Sequence, residues 1–73
     1  MNKLGEWLKE KRLNKAMSQV EYAEKIGISN VTLSKVESGE SVGSNVLRKL
    51  SIETGVATKM LREMMLFEIK EEK

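Results

Sequence analysis

Residues 19–38 carry apolar side chains at helical spacing almost without interruption, yet a glycine, Gly27, stands in the middle of the segment. Glycine inside a helix costs about 1 kcal/mol relative to alanine, which disfavours one continuous helix here. Glycine is also the residue that most easily takes the left-handed conformation in which helices commonly end. The sequence therefore predicts two short helices that meet at a corner at Gly27.

The residues on either side of this corner provide matching start signals. Ser18, followed three residues later by Glu21, is a capping box, in which the hydroxyl and the carboxylate satisfy free backbone N–H groups at a helix start. Helix 2 is therefore predicted at about 19–26. Ser29 can cap the next helix in the same way, which predicts helix 3 at about 30–37.

Three more helices are predicted from apolar spacing and turn residues: helix 1 at about 3–14, helix 4 from Ser44 or Asn45 to Gly55, and helix 5 at about 59–70 with Thr58 as its cap. Gly39 would end helix 3, and residues 38–44 have the composition of a turn. The chain has 73 residues, no proline and only one Tyr and one Phe. This composition favours a single all-α domain over residues 1–73.

Composition also narrows the class of function. The chain has no cysteine and no histidine, which removes disulfides, thiolate metal sites and the commonest general base. The longest apolar stretch, residues 64–67, is too short to cross a membrane, and the N-terminus has no hydrophobic signal region. We find no nucleophile–base set, metal cluster or glycine-rich phosphate loop. A cytoplasmic protein without enzymatic activity, cofactor or metal is expected.

The residues around the corner resemble the helix-turn-helix of the Cro and phage-repressor family, also called lambda-repressor-like or XRE. The family's unit is a small residue, a glycine four positions later and apolar residues at fixed offsets; the matching positions are Ala23, Gly27, Tyr22, Ile26, Ile28, Leu33 and Val36. The unit spans residues 19–38, and the resemblance covers about residues 4–66. It implies a compact five-helix lambda-repressor-like fold.

The same resemblance implies a function. Members are small transcriptional regulators, so the chain would bind double-stranded operator DNA as a regulator of Cro type. Such a protein would help to set the lysogenic or lytic choice of a phage inside a bacterial host cell.

Arg12 and Glu37 are predicted to form a structural ion pair. Leu4, Leu8 and Arg12 are four residues apart, so Arg12 lies on the apolar side of helix 1, where an unpaired charge would be costly. The family often has a buried arginine–glutamate pair at these two positions, and a glutamine, here Gln19, at the start of helix 2. The alternative is that Arg12 extends into water and pairs with nothing.

In this family helix 3 is the recognition helix, which enters the major groove. The predicted DNA-binding residues lie on it or beside it: Ser18, Gln19, Asn30, Val31, Thr32, Ser34, Lys35, Ser38 and Ser41. Asn30 can bind adenine, Lys35 can bind guanine, and Val31 or the Thr32 methyl can touch a thymine methyl. The hydroxyl and amide groups of the others could donate to phosphates. The alternative is that this face is only a solvated helix surface.

The charge around helix 3 argues for a second subunit or a partner. Between residues 18 and 45 the cations are Lys25 and Lys35, and the anions are Glu21, Glu24, Glu37 and Glu40. Because phosphate neutralisation supplies most nonspecific affinity, a monomer should bind DNA weakly. Two routes remain open: a homodimer on a two-fold operator, or an antirepressor that acts mainly by binding a partner repressor protein.

Helix 5 carries more apolar residues than a small core can cover. Its surplus, together with one apolar residue of helix 4, forms a candidate protein interface that consists of Ile52, Met65, Leu66 and Ile69. Methionine suits adaptable contact surfaces. This surface is therefore predicted to contact a second copy of the chain or a partner repressor.

Overall fold

The computed structural model describes residues 2–66 and contains five α-helices in that range. They are α1 (Lys3–Asn14), α2 (Gln19–Ile26), α3 (Asn30–Glu37), α4 (Ser44–Thr54) and α5 (Thr58–Leu66). The first three have the predicted bounds, and α4 begins at the first of its two predicted positions. The predicted continuation of helix 5 to residue 70 lies outside the described residues.

A single apolar core lies between the helices. Its fully buried members are Leu4, Leu8, Tyr22, Ala23, Ile26, Leu33, Val36, Leu47, Leu50 and Leu61. Helix α1 packs against α3 and α5, α2 packs against α3 and α4, and α4 packs against α5. Ile28, which was predicted to belong to the core, is half-buried at its edge. Burial of these side chains holds α2 and α3 at a fixed angle to each other.

The predicted capping box is present at the start of α2. The Glu21 backbone N–H donates to Ser18 Oγ at 3.1 Å, and the Ser18 backbone N–H donates to Glu21 Oε1 at 2.9 Å. The backbone N–H groups of Ser18 and Glu21 are thus hydrogen-bonded within the protein and not to water. Ser29 caps α3 similarly, since its Oγ accepts from the Thr32 backbone N–H at 3.0 Å.

Gly27 forms the corner between α2 and α3. Its φ is 93° and its ψ is 31°, which is the left-handed region where glycine has no Cβ penalty. The backbone N–H groups of Gly27 and Ile28 both donate to the Ala23 carbonyl, at 2.8 and 3.0 Å. Lys49 of α4 donates from Nζ to the Gly27 carbonyl at 2.9 Å. The corner is therefore held from inside α2 and from α4.

Helix α1 approaches α3 closely at Gly5, a contact that the sequence analysis did not predict. A Cβ on Gly5 would lie 2.5 Å from the Val36 carbonyl oxygen and 2.9 Å from that of Glu37. Asn2 strengthens the same junction: its Oδ1 accepts from the Gly5 backbone N–H at 2.9 Å, and its Nδ2 donates to the Gly39 carbonyl at 3.0 Å. The start of α1 is thereby tied to the end of α3.

One predicted cap is wrong. Thr58 is the first residue of α5 itself, and the backbone N–H of Leu61 donates to the Ala57 carbonyl at 3.1 Å. Ala57 therefore occupies the cap position, one residue earlier than the hydroxyl signal indicated. Gly55, as predicted, ends α4 with a φ of 76°.

Candidate nucleic-acid interface

Helix α3 exposes three side chains: Asn30, Val31 and Lys35. Val31 and Lys35 are one turn apart and share one strip of the helix surface, whereas Asn30 lies about 100° around the helix from Val31. Leu33 and Val36 lie on the opposite side in the core. The helix thus divides into a buried apolar side and an outward side with an amide, a branched alkyl group and an ammonium group.

Two further predicted residues of α3, Thr32 and Ser34, are only half-exposed. Thr32 Oγ1 lies 2.8 Å from Ser29 Oγ, so the capping residue at the helix start engages its hydroxyl. The Ser34 carbonyl accepts a hydrogen bond from Ser38 Oγ at 2.8 Å. This bond uses the hydroxyl proton of Ser38, which is exposed. A phosphate contact by Ser38 stays a prediction, and it requires the hydroxyl to turn away from the Ser34 carbonyl.

Arg12 of α1 and Glu37, the last residue of α3, are in contact. Arg12 Nε donates to Glu37 Oε2 at 2.8 Å, and Nη2 donates to Oε1 at 3.1 Å. Arg12 Nη1 also donates to the carbonyl of Met17 in the loop before α2, at 3.0 Å. These hydrogen bonds from the guanidinium to Glu37 raise the pKa of Arg12 above its ordinary value. The predicted pair thus has the two-point geometry in which ion pairs are strongest.

Gln19 joins this network, which the sequence analysis did not foresee. Its Nε2 donates to Glu37 Oε1 at 3.1 Å, and its side chain is half-buried. An amide nitrogen carries two protons, so one remains for an outside acceptor such as a phosphate. The arrangement could not be predicted from the glutamine alone, because the acceptor lies on a different helix.

Two of the predicted phosphate donors near α3 are exposed serines. Ser18 is exposed, and its Oγ acts as an acceptor in the capping box, which leaves its proton available. Ser41 is exposed in the segment between α3 and α4. Both hydroxyls lie close in sequence to the ends of the helix-turn-helix.

The surface around α3 carries less negative charge than the sequence suggested. Glu37 is buried and paired with Arg12, so its charge is compensated within the protein. Glu21, Glu24 and Glu40 remain exposed, and the hydrogen bond from the Ser18 backbone lowers the pKa of Glu21. Exposed carboxylates of this kind are ionised at neutral pH and repel a nearby phosphate.

The candidate protein interface is only partly free. Ile52 and Leu66 are exposed, at 79% and 72% of their surface. Met65, in contrast, is half-buried against the core, and its Sδ accepts from the Val42 backbone N–H at 3.3 Å. Part of the Met65 side chain therefore packs within the domain, and its contribution to a protein interface stays a prediction. Ile69 lies outside the described residues.

Among residues 2–66, no group of acidic, histidine or cysteine side chains is arranged to hold a metal ion. None of the five helices there combines the length and the apolarity that a bilayer crossing requires.

Comparison with protein families places the chain in a known family. A family model with the description helix-turn-helix matches residues 8–61, from the middle of α1 to the first half of α5. The matched range contains all of α2 and α3, together with Arg12 and Glu37. Comparison with curated proteins and with solved structures gave no match.

Proposed function

Because the chain belongs to the lambda-repressor-like helix-turn-helix family, and is accordingly a DNA-binding regulator, we propose that it binds double-stranded operator DNA with α3 in the major groove. One observation carries this proposal. Asn30, Val31 and Lys35 are exposed on α3, while the opposite side of the helix is anchored in the core. A helix held in this way can present its outward side chains to base edges without losing order.

Each proposed contact follows from the chemistry of an exposed group. The Asn30 amide can donate to adenine N7 and accept from its N6, and the Lys35 ammonium can donate to guanine O6 or N7. Ser18, Gln19 and Ser41 would donate to phosphates and so set the position of the protein on the duplex. Ser38 would donate to a phosphate as well, once its hydroxyl turns away from the Ser34 carbonyl.

We further propose that the active form is a homodimer. Three exposed glutamates lie near α3, so one subunit should bind DNA weakly. The exposed Ile52 and Leu66 offer apolar surface for a second copy. A symmetric dimer would place two copies of α3 about 34 Å apart, one turn of DNA. The biological role that this family suggests is a Cro-type regulator in the lysogenic or lytic choice of a phage, in the cytoplasm of the bacterial host.

A binding assay tests the DNA proposal. Duplexes selected by the protein from a random-sequence library are compared with unselected duplexes. Asn30→Ala should weaken binding to the selected site by about 1–3 kcal/mol and change binding to unselected DNA little. Asn14→Ala, an exposed asparagine at the end of α1, is the matched control and should change neither. Equal losses on both kinds of DNA would make Asn30 a positioning residue. Absence of any binding at low salt would overturn the proposed function.

The association proposal has its own test. Replacement of Ile52 and Leu66 by lysine should leave the helical circular dichroism unchanged and convert a dimer to a monomer in sedimentation. A monomeric parent protein would overturn it.

A separate test distinguishes the alternative antirepressor function. If Asn30→Glu with Lys35→Glu breaks a complex with a repressor protein in the absence of DNA, the antirepressor function is correct. The exposed glutamates beside α3 are the observation that favours that alternative.

A further inference from the structure

Val31 is the exposed apolar residue of α3. It lies in the first turn of the helix, 59% of its surface is exposed, and it shares one strip of the helix surface with Lys35, one turn away. Valine has a lower helix propensity than most residues, and an exposed isopropyl group gains nothing from burial. The isopropyl group therefore serves neither the core nor the helix, and it is available for a contact on the outward side of α3.

Its neighbours do not offer the same group. Thr32 also carries a methyl, but it is half-buried, and Ser29 engages its hydroxyl at 2.8 Å. Ser34 is half-buried and has no methyl group. Asn30 and Lys35 end in polar groups. The isopropyl group of Val31 is thus the one exposed branched alkyl group on the outward side of α3.

We infer that Val31 is a specificity-determining residue that recognises the C5 methyl of a thymine in the major groove. This inference rests on the proposed function, since it requires α3 to lie in that groove. The thymine methyl is the apolar group that base pairs display there, and contact with Val31 would remove both apolar surfaces from water. Asn30 precedes Val31 by one residue, so the two side chains would read neighbouring base pairs.

Uracil allows this inference to be tested with a change of one methyl group. Deoxyuridine presents the same hydrogen-bonding groups in the groove as thymidine and lacks only the C5 methyl. The probe is the duplex that the protein selects from a random library, resynthesised with each thymidine replaced in turn by deoxyuridine. For the unmodified protein, one position in each half-site should respond to the replacement. A single replacement there should weaken binding about fourfold, which is the effect of losing one buried methyl group.

Val31→Ala should bind the thymidine and deoxyuridine duplexes nearly equally at that position. The substitution removes both γ-methyl groups, and the remaining Cβ lies too close to the helix axis to reach the thymine methyl. Leu13→Ala is the matched control: Leu13 is 56% exposed, on α1, and its truncation should keep the fourfold preference. Equal thermal midpoints of the three proteins would show that all are folded. The quantity compared is the ratio of the affinities of one protein for the two duplexes, so a general loss of affinity does not affect it.

Two results would overturn the inference while leaving the proposed function intact. One is binding that no deoxyuridine replacement weakens. The other is a Val31→Ala variant that still prefers thymidine, which would assign the methyl contact to another side chain. Failure to select any sequence from the library is a different result, since it would overturn the proposed function and the inference together.

Discussion

The Arg12 guanidinium meets the Glu37 carboxylate through two hydrogen bonds, at 2.8 and 3.1 Å, across the contact between α1 and α3. Glu37 Oε1 also accepts from Gln19 on α2, so one carboxylate joins all three helices that form and support the helix-turn-helix. Both members of the ion pair are buried. The pair therefore helps to fix the orientation of α3 relative to α1 and also stabilises the domain.

Glu37→Ala should lower the free energy of unfolding by about 3–5 kcal/mol, because it leaves the buried Arg12 without its partner. Urea denaturation measures the loss. Glu40→Ala removes an exposed glutamate three residues away and should change the free energy by no more than about 0.5 kcal/mol. The double variant of Arg12 and Glu37 should lose less than the sum of the single variants; strictly additive losses would contradict a direct interaction.

Gly27→Val should lower stability by about 1 kcal/mol or more. The nearest atom to an added Cβ is Lys49 Cδ, 3.9 Å away, so space is available and the loss comes from the backbone φ of 93°. Gly27→Asn is the matched variant, since asparagine tolerates the left-handed region better, and its loss should be smaller. Thermal denaturation of both variants decides the matter. An unchanged midpoint for the valine variant would remove the corner role of Gly27.

Gly5→Ala should destabilise the domain by about 1–3 kcal/mol, as overpacking does, although alanine favours helix α1 by about 1 kcal/mol. The added methyl would collide with the backbone carbonyls of Val36 and Glu37, and these cannot rotate away as a side chain can. Gly43→Ser is the control, because nothing lies within 4 Å of its Cβ position and serine is a good helix cap. A more stable Gly5→Ala variant would mean that α1 and α3 do not approach so closely.

Tyr22→Phe should stabilise the protein by about 1 kcal/mol. The Tyr22 hydroxyl is buried without a hydrogen-bond partner among residues 2–66, and such a group carries an uncompensated desolvation cost. Urea denaturation at neutral pH measures the gain. A loss of stability instead would indicate that the hydroxyl is hydrogen-bonded in solution.

The same substitution should change the pH dependence of stability. Burial, and next the charges of Glu53 and Glu37, raise the pKa of Tyr22 above its ordinary value of 10.0. The unfolded chain therefore loses this proton at a lower pH than the folded chain does. Folding stability from this group is intact below about pH 10 and falls as the pH rises above it. The advantage of Tyr22→Phe over the parent should accordingly be constant below about pH 10 and grow as the pH rises above it.

Features that depend on nearby residues could be predicted from the sequence. The capping box needs only Ser18 and Glu21 three residues apart, and the corner needs only a glycine that a helix would disfavour. Arg12 could be placed because Leu4 and Leu8 define the apolar side of α1, and the family resemblance supplied Glu37 as its partner. These signals also set the bounds of α2 and α3 correctly.

Features that depend on how helices cross could not be predicted in this way. The space at Gly5 is set by the approach of α1 to α3, and nothing around Gly5 in the sequence indicates it. Met65 has the pattern of a surface residue, but its sulfur meets the Val42 backbone across the fold. Gln19 could be read as a phosphate donor, whereas its bond to Glu37 appears only when α2 and α3 are brought together.

The bond from Gln19 to Glu37 has a consequence for how DNA shape would be sensed. In the proposed complex Gln19 Nε2 donates one hydrogen bond to the Glu37 carboxylate at the end of α3 and a second to the sugar–phosphate backbone. A duplex whose backbone lies at the wrong distance from α3 cannot satisfy both acceptors at once, so a hydrogen bond would be lost. Sequences that change groove width would then be discriminated even at base pairs that no side chain touches, which is indirect readout.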